Sequence, residues 1–140
     1  MPNHCQNYLL VDGKTEAVEQ FMKTVKSTEA PLDFGRIIMS HSERPTKEWG
    51  TKWNAYRIHT PSIRLCYPGS EYSEVLYAFQ TAWSPPIPVI KKLIEMFPDC
   101  SITCTYFEQG MQYCGEISGG PYIPEGIRQW ESGYEGALGG

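Results

Sequence analysis

Val89, Ile90, Leu93, Ile94 and Phe97 fall three and four residues apart and mark one side of a helix. The stretch before them, Val75–Trp83, reads as a strand that ends in a tryptophan. Ser84 is a natural N-cap, because its hydroxyl can satisfy an orphan amide of the first turn. Pro85, Pro86 and Pro88 stand where a missing N–H costs little. The spacing predicts a helix over 85–97, stopped by Pro98. A second helix is expected over Lys14–Lys26, with Val18, Phe21, Met22 and Val25 on one side.

Alternating positions predict strands over Cys5–Val11, which Asp12-Gly13 would turn, and over Ile63–Tyr67, ended by Pro68-Gly69. Ser101–Phe107 and Met111–Ile117 read as a hairpin around Glu108-Gln109-Gly110. Arg36–Met39 reads as a short strand or bridge, and Ser40–Lys47 as a loop. Trp49–Ile58 alternates as a further strand, with Trp49, Thr51 and Trp53 opposite to Lys52, Asn54 and Tyr56. Two helices separated by strands predict an α+β fold: a ferredoxin-like split βαβ arrangement, antiparallel, with both helices on one face and a C-terminal hairpin.

Beyond Ser118 the composition shifts to glycine, aromatics and acids, with Arg128 the single base. The division expected is a domain over 1–118 and an extension over 119–140. Ile127, Trp130 and Tyr134 are spaced like an amphipathic helical turn, so part of the extension is expected to dock on the domain or on a partner chain, including a second copy.

The chain has 140 residues, enough for one domain with a core that needs no metal or disulfide staple. Its formal charge is −4, from 12 basic and 16 acidic residues, which disfavours a general grip on duplex nucleic acid. No apolar run has the length of a membrane span, and the N-terminus MPNHCQNYLL lacks the layout of a secretory signal. A cytoplasmic location is expected. The five cysteines cannot all pair internally, and Cys100 and Cys104 on one strand would stand roughly 13 Å apart, so reduced and mostly buried thiols are expected.

No Cys-x-x-Cys or His-x-x-x-His pair suggests a metal site, and no cofactor is implied. There is no nucleophile elbow and no phosphate-binding glycine loop. The sharpest chemical grouping is Trp49, Lys52, Trp53, Asn54, Arg57 and Trp83, with Gln80 and Thr81 nearby. Indole faces stack on bases, cations meet phosphates, and an amide reads a base edge, so this composition suits a nucleotide or a single strand. Against that stands a purely architectural use of the tryptophans as core. A second grouping, Glu71, Tyr72 and Glu74 with Trp130, Glu131, Tyr134 and Glu135, interleaves acid with aromatic residues and suits a basic protein groove.

PNHCQNYLLVDG, WGTKWNAY, FQTAWSPPIPVIKKLIEMFP and YFEQGMQYCGE carry a resemblance. Over residues 2–118, and not in the tail, the chain resembles the ferredoxin-like domain of the Api-like proteins of bacteriophages and conjugative plasmids. The resemblance implies a ferredoxin-like fold without an iron–sulfur cluster, and the setting of a mobile genetic element in a bacterial cell. The expectation is a non-enzymatic protein that counteracts a host defence system by binding a defence protein or sequestering a signalling nucleotide. The alternatives are a small nucleotide-processing enzyme and a structural or transfer accessory protein.

Overall fold

The computed structural model describes residues 3–42 and 45–133. The first strand, β1 (His4–Lys14), has Cys5, Leu9 and Val11 fully buried on one face and His4, Gln6, Tyr8 and Leu10 on the other. It does not turn at Asp12-Gly13. Those residues stay in register opposite Glu74 and Ser73, and α1 (Thr15–Val25) begins at once, its first amide bonded to the Glu71 carbonyl at 2.9 Å. After α1, residues Phe34–Arg36 form a 3-10 turn rather than a strand, because the Asp33 carboxylate accepts from Gly35 N–H and caps it.

The expected strand over Trp49–Ile58 is not there. Thr46–Trp49 is a short helix, α2, closed by Gly50 in the left-handed conformation (φ 78°). A side chain at Gly50 would run into Pro88. Past it the chain crosses the corner of the sheet irregularly and first pairs its backbone with a strand at Tyr56, which bridges to Gln80.

Next come β2 (Ile63–Leu65), β3 (Tyr72–Ala82), α3 (Ile87–Met96), β4 (Ser101–Glu108) and β5 (Tyr113–Gly119). Ser84 does not cap α3. Two prolines push the helix start to Ile87, and the Ser84 hydroxyl donates instead to the Gly50 carbonyl at 2.6 Å, tying the α2 loop to the β3–α3 corner. The tail contributes β6 (Ile127–Ser132), a strand where helical spacing had suggested a turn. All six of its residues pair with β5.

The sheet order is β2-β3-β1-β4-β5-β6, antiparallel throughout. β3 lies between β1 and β2, and β1 between β3 and β4, which interleaves two split βαβ units in the ferredoxin-like way. α1 covers β1, β2 and β3, and α3 covers β4 and β5, both on one face. Between helices and sheet lies a core of Leu9, Val11, Val18, Phe21, Phe34, Phe79, Ile90, Leu93, Ile102 and Ile117, each at most 1% exposed.

Cys5, Cys100 and Cys104 are buried, and burial pushes the Cys5 thiol up to about 12. Cys66 is exposed and Cys114 half-buried, so the expectation of buried thiols holds at three of the five positions.

Gly115 decides how β5 and β6 are held. The Tyr106 ring lies across it and donates to the Glu131 carboxylate on β6 at 2.7 Å. A methyl at Gly115 would overlap the Tyr106 hydroxyl. Gly115→Ala is therefore expected to lower stability by about 1–3 kcal/mol, the usual cost of overpacking, measured by denaturant unfolding. An unchanged midpoint would show that Tyr106 does not need this glycine.

Candidate functional site

The face of the sheet opposite α1 and α3 carries exposed Tyr8, Leu76, Phe107 and Trp130. At the His4 end of this face the segment after α2 folds against β3. Tyr56 exchanges backbone bonds with Gln80 at 3.0 and 2.8 Å, and His59 N–H donates to the Ala78 carbonyl. Register then lines up Tyr56, Gln80, Gln6 and Phe107 across four neighbouring strands or segments. The middle of the row is an amide pair: Gln80 Nε2 donates to Gln6 Oε1 at 3.2 Å.

Both cations of the segment lie on aromatic rings. The Lys52 ammonium stands 5.5 Å from the Trp53 ring centroid, and the Arg57 guanidinium 5.8 Å from that of Tyr56. Arg57 donates to Gln80 Oε1 at 2.8 Å from a left-handed backbone (φ 51°), which is what turns its side chain onto the sheet. Neither cation has a carboxylate partner among the described residues. Trp53 meets Tyr56 edge-on at 6.2 Å between centroids, and His4 Nδ1 lies 2.6 Å from the Tyr56 hydroxyl, holding that ring upright.

The grouping expected from sequence divides accordingly. Lys52, Trp53, Arg57 and Gln80 come together on this surface. Trp83, 42% exposed, adjoins it and lines a cleft of about 300 Å³ with Thr46, Lys52, Ala82 and Ser84. Its φ of 72° is costly for a non-glycine residue and is held by two bonds, from its N–H to the Asn3 carbonyl and from the Tyr113 hydroxyl to its own carbonyl.

Trp49, Asn54 and Thr81 turn inward. Trp49 packs edge-on against Phe34 and donates its indole N–H to the Ile38 carbonyl at 2.8 Å. Thr81 is fully buried, bonded to Asn7 and to the Ser84 carbonyl. Asn54 Oδ1 accepts from the amides of Phe34 and Ala55, and its Nδ2 donates to Asp33, each at 2.9 Å.

The acid-aromatic grouping is dispersed. Tyr72 and Glu74 lie at the far end of the open face, where Glu74 pairs with Arg64. Glu71 is exposed beside them. Trp130 is four strands away, roughly 19 Å at the usual strand spacing. Glu131 points to the other face and holds Tyr106. Tyr134 and Glu135 lie outside the described residues. Across from Glu74 stands Asp12, whose carboxyl is held above the usual range by burial first and by the Glu74 charge second. Gln6, Tyr8, Tyr56 and Phe107 were not among the site residues expected from sequence. Alternation along β1 and β4 could place Gln6, Tyr8 and Phe107 on one face, but only the register makes Gln6, Phe107 and Tyr56 neighbours.

Glu108 illustrates a carboxylate used up by structure. It is fully buried and accepts from the amides of Gly110 and Met111, shaping the β4–β5 turn. Among the described residues no three His, Cys, Asp or Glu side chains gather as a metal-holding group, and no helix is long and apolar enough to cross a membrane.

Fold and surface together define a ferredoxin-like α+β protein with an uncovered sheet face. The chain belongs to the family described as the ferredoxin-like domain in Api92-like protein, whose model matches residues 48–136 and so takes in β6 as well as the α2 segment. No curated protein and no solved structure matches the chain.

Asn54→Ala is expected to destabilise the fold by about 2–3 kcal/mol, since it strands two amides. Burial raises the Asp33 pKa, but the bonds from Asn54 and Gly35 N–H outweigh it and bring the carboxyl below its ordinary 3.8. A depressed carboxylate stabilises the fold above its unfolded pKa and loses that contribution as pH falls through the folded one. The wild type should therefore lose stability below about pH 4 more steeply than the variant, as read from melting temperatures between pH 2 and 7. Parallel profiles would exclude this role for the Asn54–Asp33 bond.

Proposed function

We propose that this chain is a non-enzymatic binding protein of a phage or conjugative plasmid, and that it counteracts a host defence system by holding a signalling nucleotide in the bacterial cytoplasm. The observation that carries the reading is the surface at Lys52, Trp53, Tyr56, Arg57, Gln80 and Gln6. Two cations without carboxylate partners among the described residues lie on aromatic rings, the exposed Trp53 and the half-buried Tyr56, beside a pair of amides. Each feature answers one part of a nucleotide. The Trp53 face stacks a base, Lys52 and the remaining N–H groups of Arg57 pair with phosphate, and the Gln6–Gln80 amides hydrogen-bond to a base edge. The mobile-element setting is supported by the resemblance to phage and plasmid proteins in WGTKWNAY and TAWSPPIPV.

A second reading, a basic defence protein as target, is favoured by the opposite end of the same face. Asp12 and Glu74 oppose one another there next to exposed Tyr72 and Leu76. Glu74 is already paired with Arg64, so an incoming lysine or arginine would meet chiefly Asp12. Co-purification of a stoichiometric basic partner from defended host cells would shift the balance toward it.

For the nucleotide reading, purified protein is denatured and the released small molecules are identified by mass spectrometry. Thermal stabilisation is then measured across a panel of linear and cyclic nucleotides. A released nucleotide that also stabilises the protein is expected, with at least about tenfold weaker binding in a Lys52→Ala, Arg57→Ala double variant, given the strength of charge-assisted bonds. No released nucleotide and no shift across the panel would overturn the reading.

A further inference from the structure

The row that begins at Tyr56 does not end at the amides. Gln6 is in register with Phe107 on β4, whose ring is 49% exposed on the same face, and Tyr8 stands diagonally next to Phe107 on β1. From Tyr56 to Phe107 is three lateral steps, roughly 14 Å at the usual strand spacing. A single base on Trp53 or Tyr56 cannot also stack on Phe107 or Tyr8 at that distance. The surface therefore has two stacking platforms, with the Gln80–Gln6 amides between them and the cations Lys52 and Arg57 at one end. Of the carboxylates on the face, Asp12 and Glu74 lie at the other end of β1 and β3, and Glu116 stands on β5 opposite Thr105, diagonally next to Phe107 on the side away from the cations.

We infer that the ligand is a single-stranded oligonucleotide segment of at least two bases, one stacked at Trp53 and Tyr56 and another at Phe107 and Tyr8, with its linking phosphate near Arg57. This rests on the nucleotide reading and names its ligand class. Open antiparallel sheets with exposed aromatic rings take up single strands in this manner, because every base has a face to stack and the spacing between strands separates successive bases. The lateral row, rather than a pocket, is what selects an extended chain over a compact mononucleotide.

The test is a binding ladder on the full chain with oligoadenylates of one, two, three and twelve nucleotides, followed by fluorescence anisotropy or calorimetry. Affinity is expected to rise about tenfold or more between one and three units. Phe107→Ala should bring the trinucleotide down to the level of the mononucleotide, while Phe107→Trp, which keeps a stacking face, restores the gain. Melting curves of both variants confirm that the exposed position leaves the fold intact. A gain complete at three units points to a free short oligonucleotide, and one that continues to twelve points to a longer strand; both support the inference. Equal affinity for one and three units, or a gain that survives Phe107→Ala in a folded protein, overturns it while leaving the nucleotide reading in place. Failure of every rung, together with an empty nucleotide panel, overturns both.

Discussion

The half-buried amide of Asn54 is the constraint on which the candidate surface depends. Polar groups drawn away from water must be satisfied, since an unmade bond costs more than a made one gains. Asn54 meets this demand by joining two parts of the chain: Phe34, a ring of the core packed against Trp49 and Phe79, and Ala55, next to the bridge at Tyr56. Through Asp33 it also secures the 3-10 turn. Residues 50–60 are tied to β3 by only the Tyr56 bridge and the His59 N–H, so the place of Tyr56 and Arg57 beside Gln80 also depends on this side chain and on the Thr51 hydroxyl, which donates to the Ala82 carbonyl at 2.8 Å. Core packing and the placement of the exposed segment thus share one set of bonds.

Net charge is a poor guide to such a surface. The chain is acidic overall, yet its open face carries Lys52 and Arg57 at the His4 end, with Asp12 and the Glu74–Arg64 ion pair at the other. Screening at physiological salt acts over about 8 Å, so a phosphate near Arg57 feels the local cations far more than the acids at the other end of the sheet.

The regular half of the fold is legible because periodicity there is strong. β3, α3 and the β4–β5 hairpin alternate or recur cleanly, and α1 carries its apolar stripe. The segment over 46–62 is not legible, because Trp49, Thr51 and Trp53 imitate strand alternation while Gly50, Thr51 and Asn54 carry out helix termination and side-chain bonding that no period records. β6 failed for a related reason: its apolar positions are few, and strand pairing with β5 decided its form. The candidate surface was half visible. Lys52, Trp53, Arg57 and Gln80 stand out by chemistry, but Asn54 and Thr81 share that chemistry and are spent inside. Phe107 and Gln6 join the row only through register, which a single sequence does not print.

An uncovered sheet face needs polar residues to stay wet, and β4 supplies them at Ser101, Thr103 and Thr105. Phe107 breaks that run at the position facing Gln6. It has no core to fill, because α3 lies on the other side, and its ring leaves apolar surface in water that a threonine there would not. β1 behaves likewise, with Tyr8 between Gln6 and the half-buried Leu10. Scattered exposed hydrophobics require no explanation. Two aromatic residues placed diagonally across neighbouring strands, beside an amide pair and near two cations that lack carboxylate partners among the described residues, are not scattered. Their cost to solubility is local, and it falls where stacking would recover it.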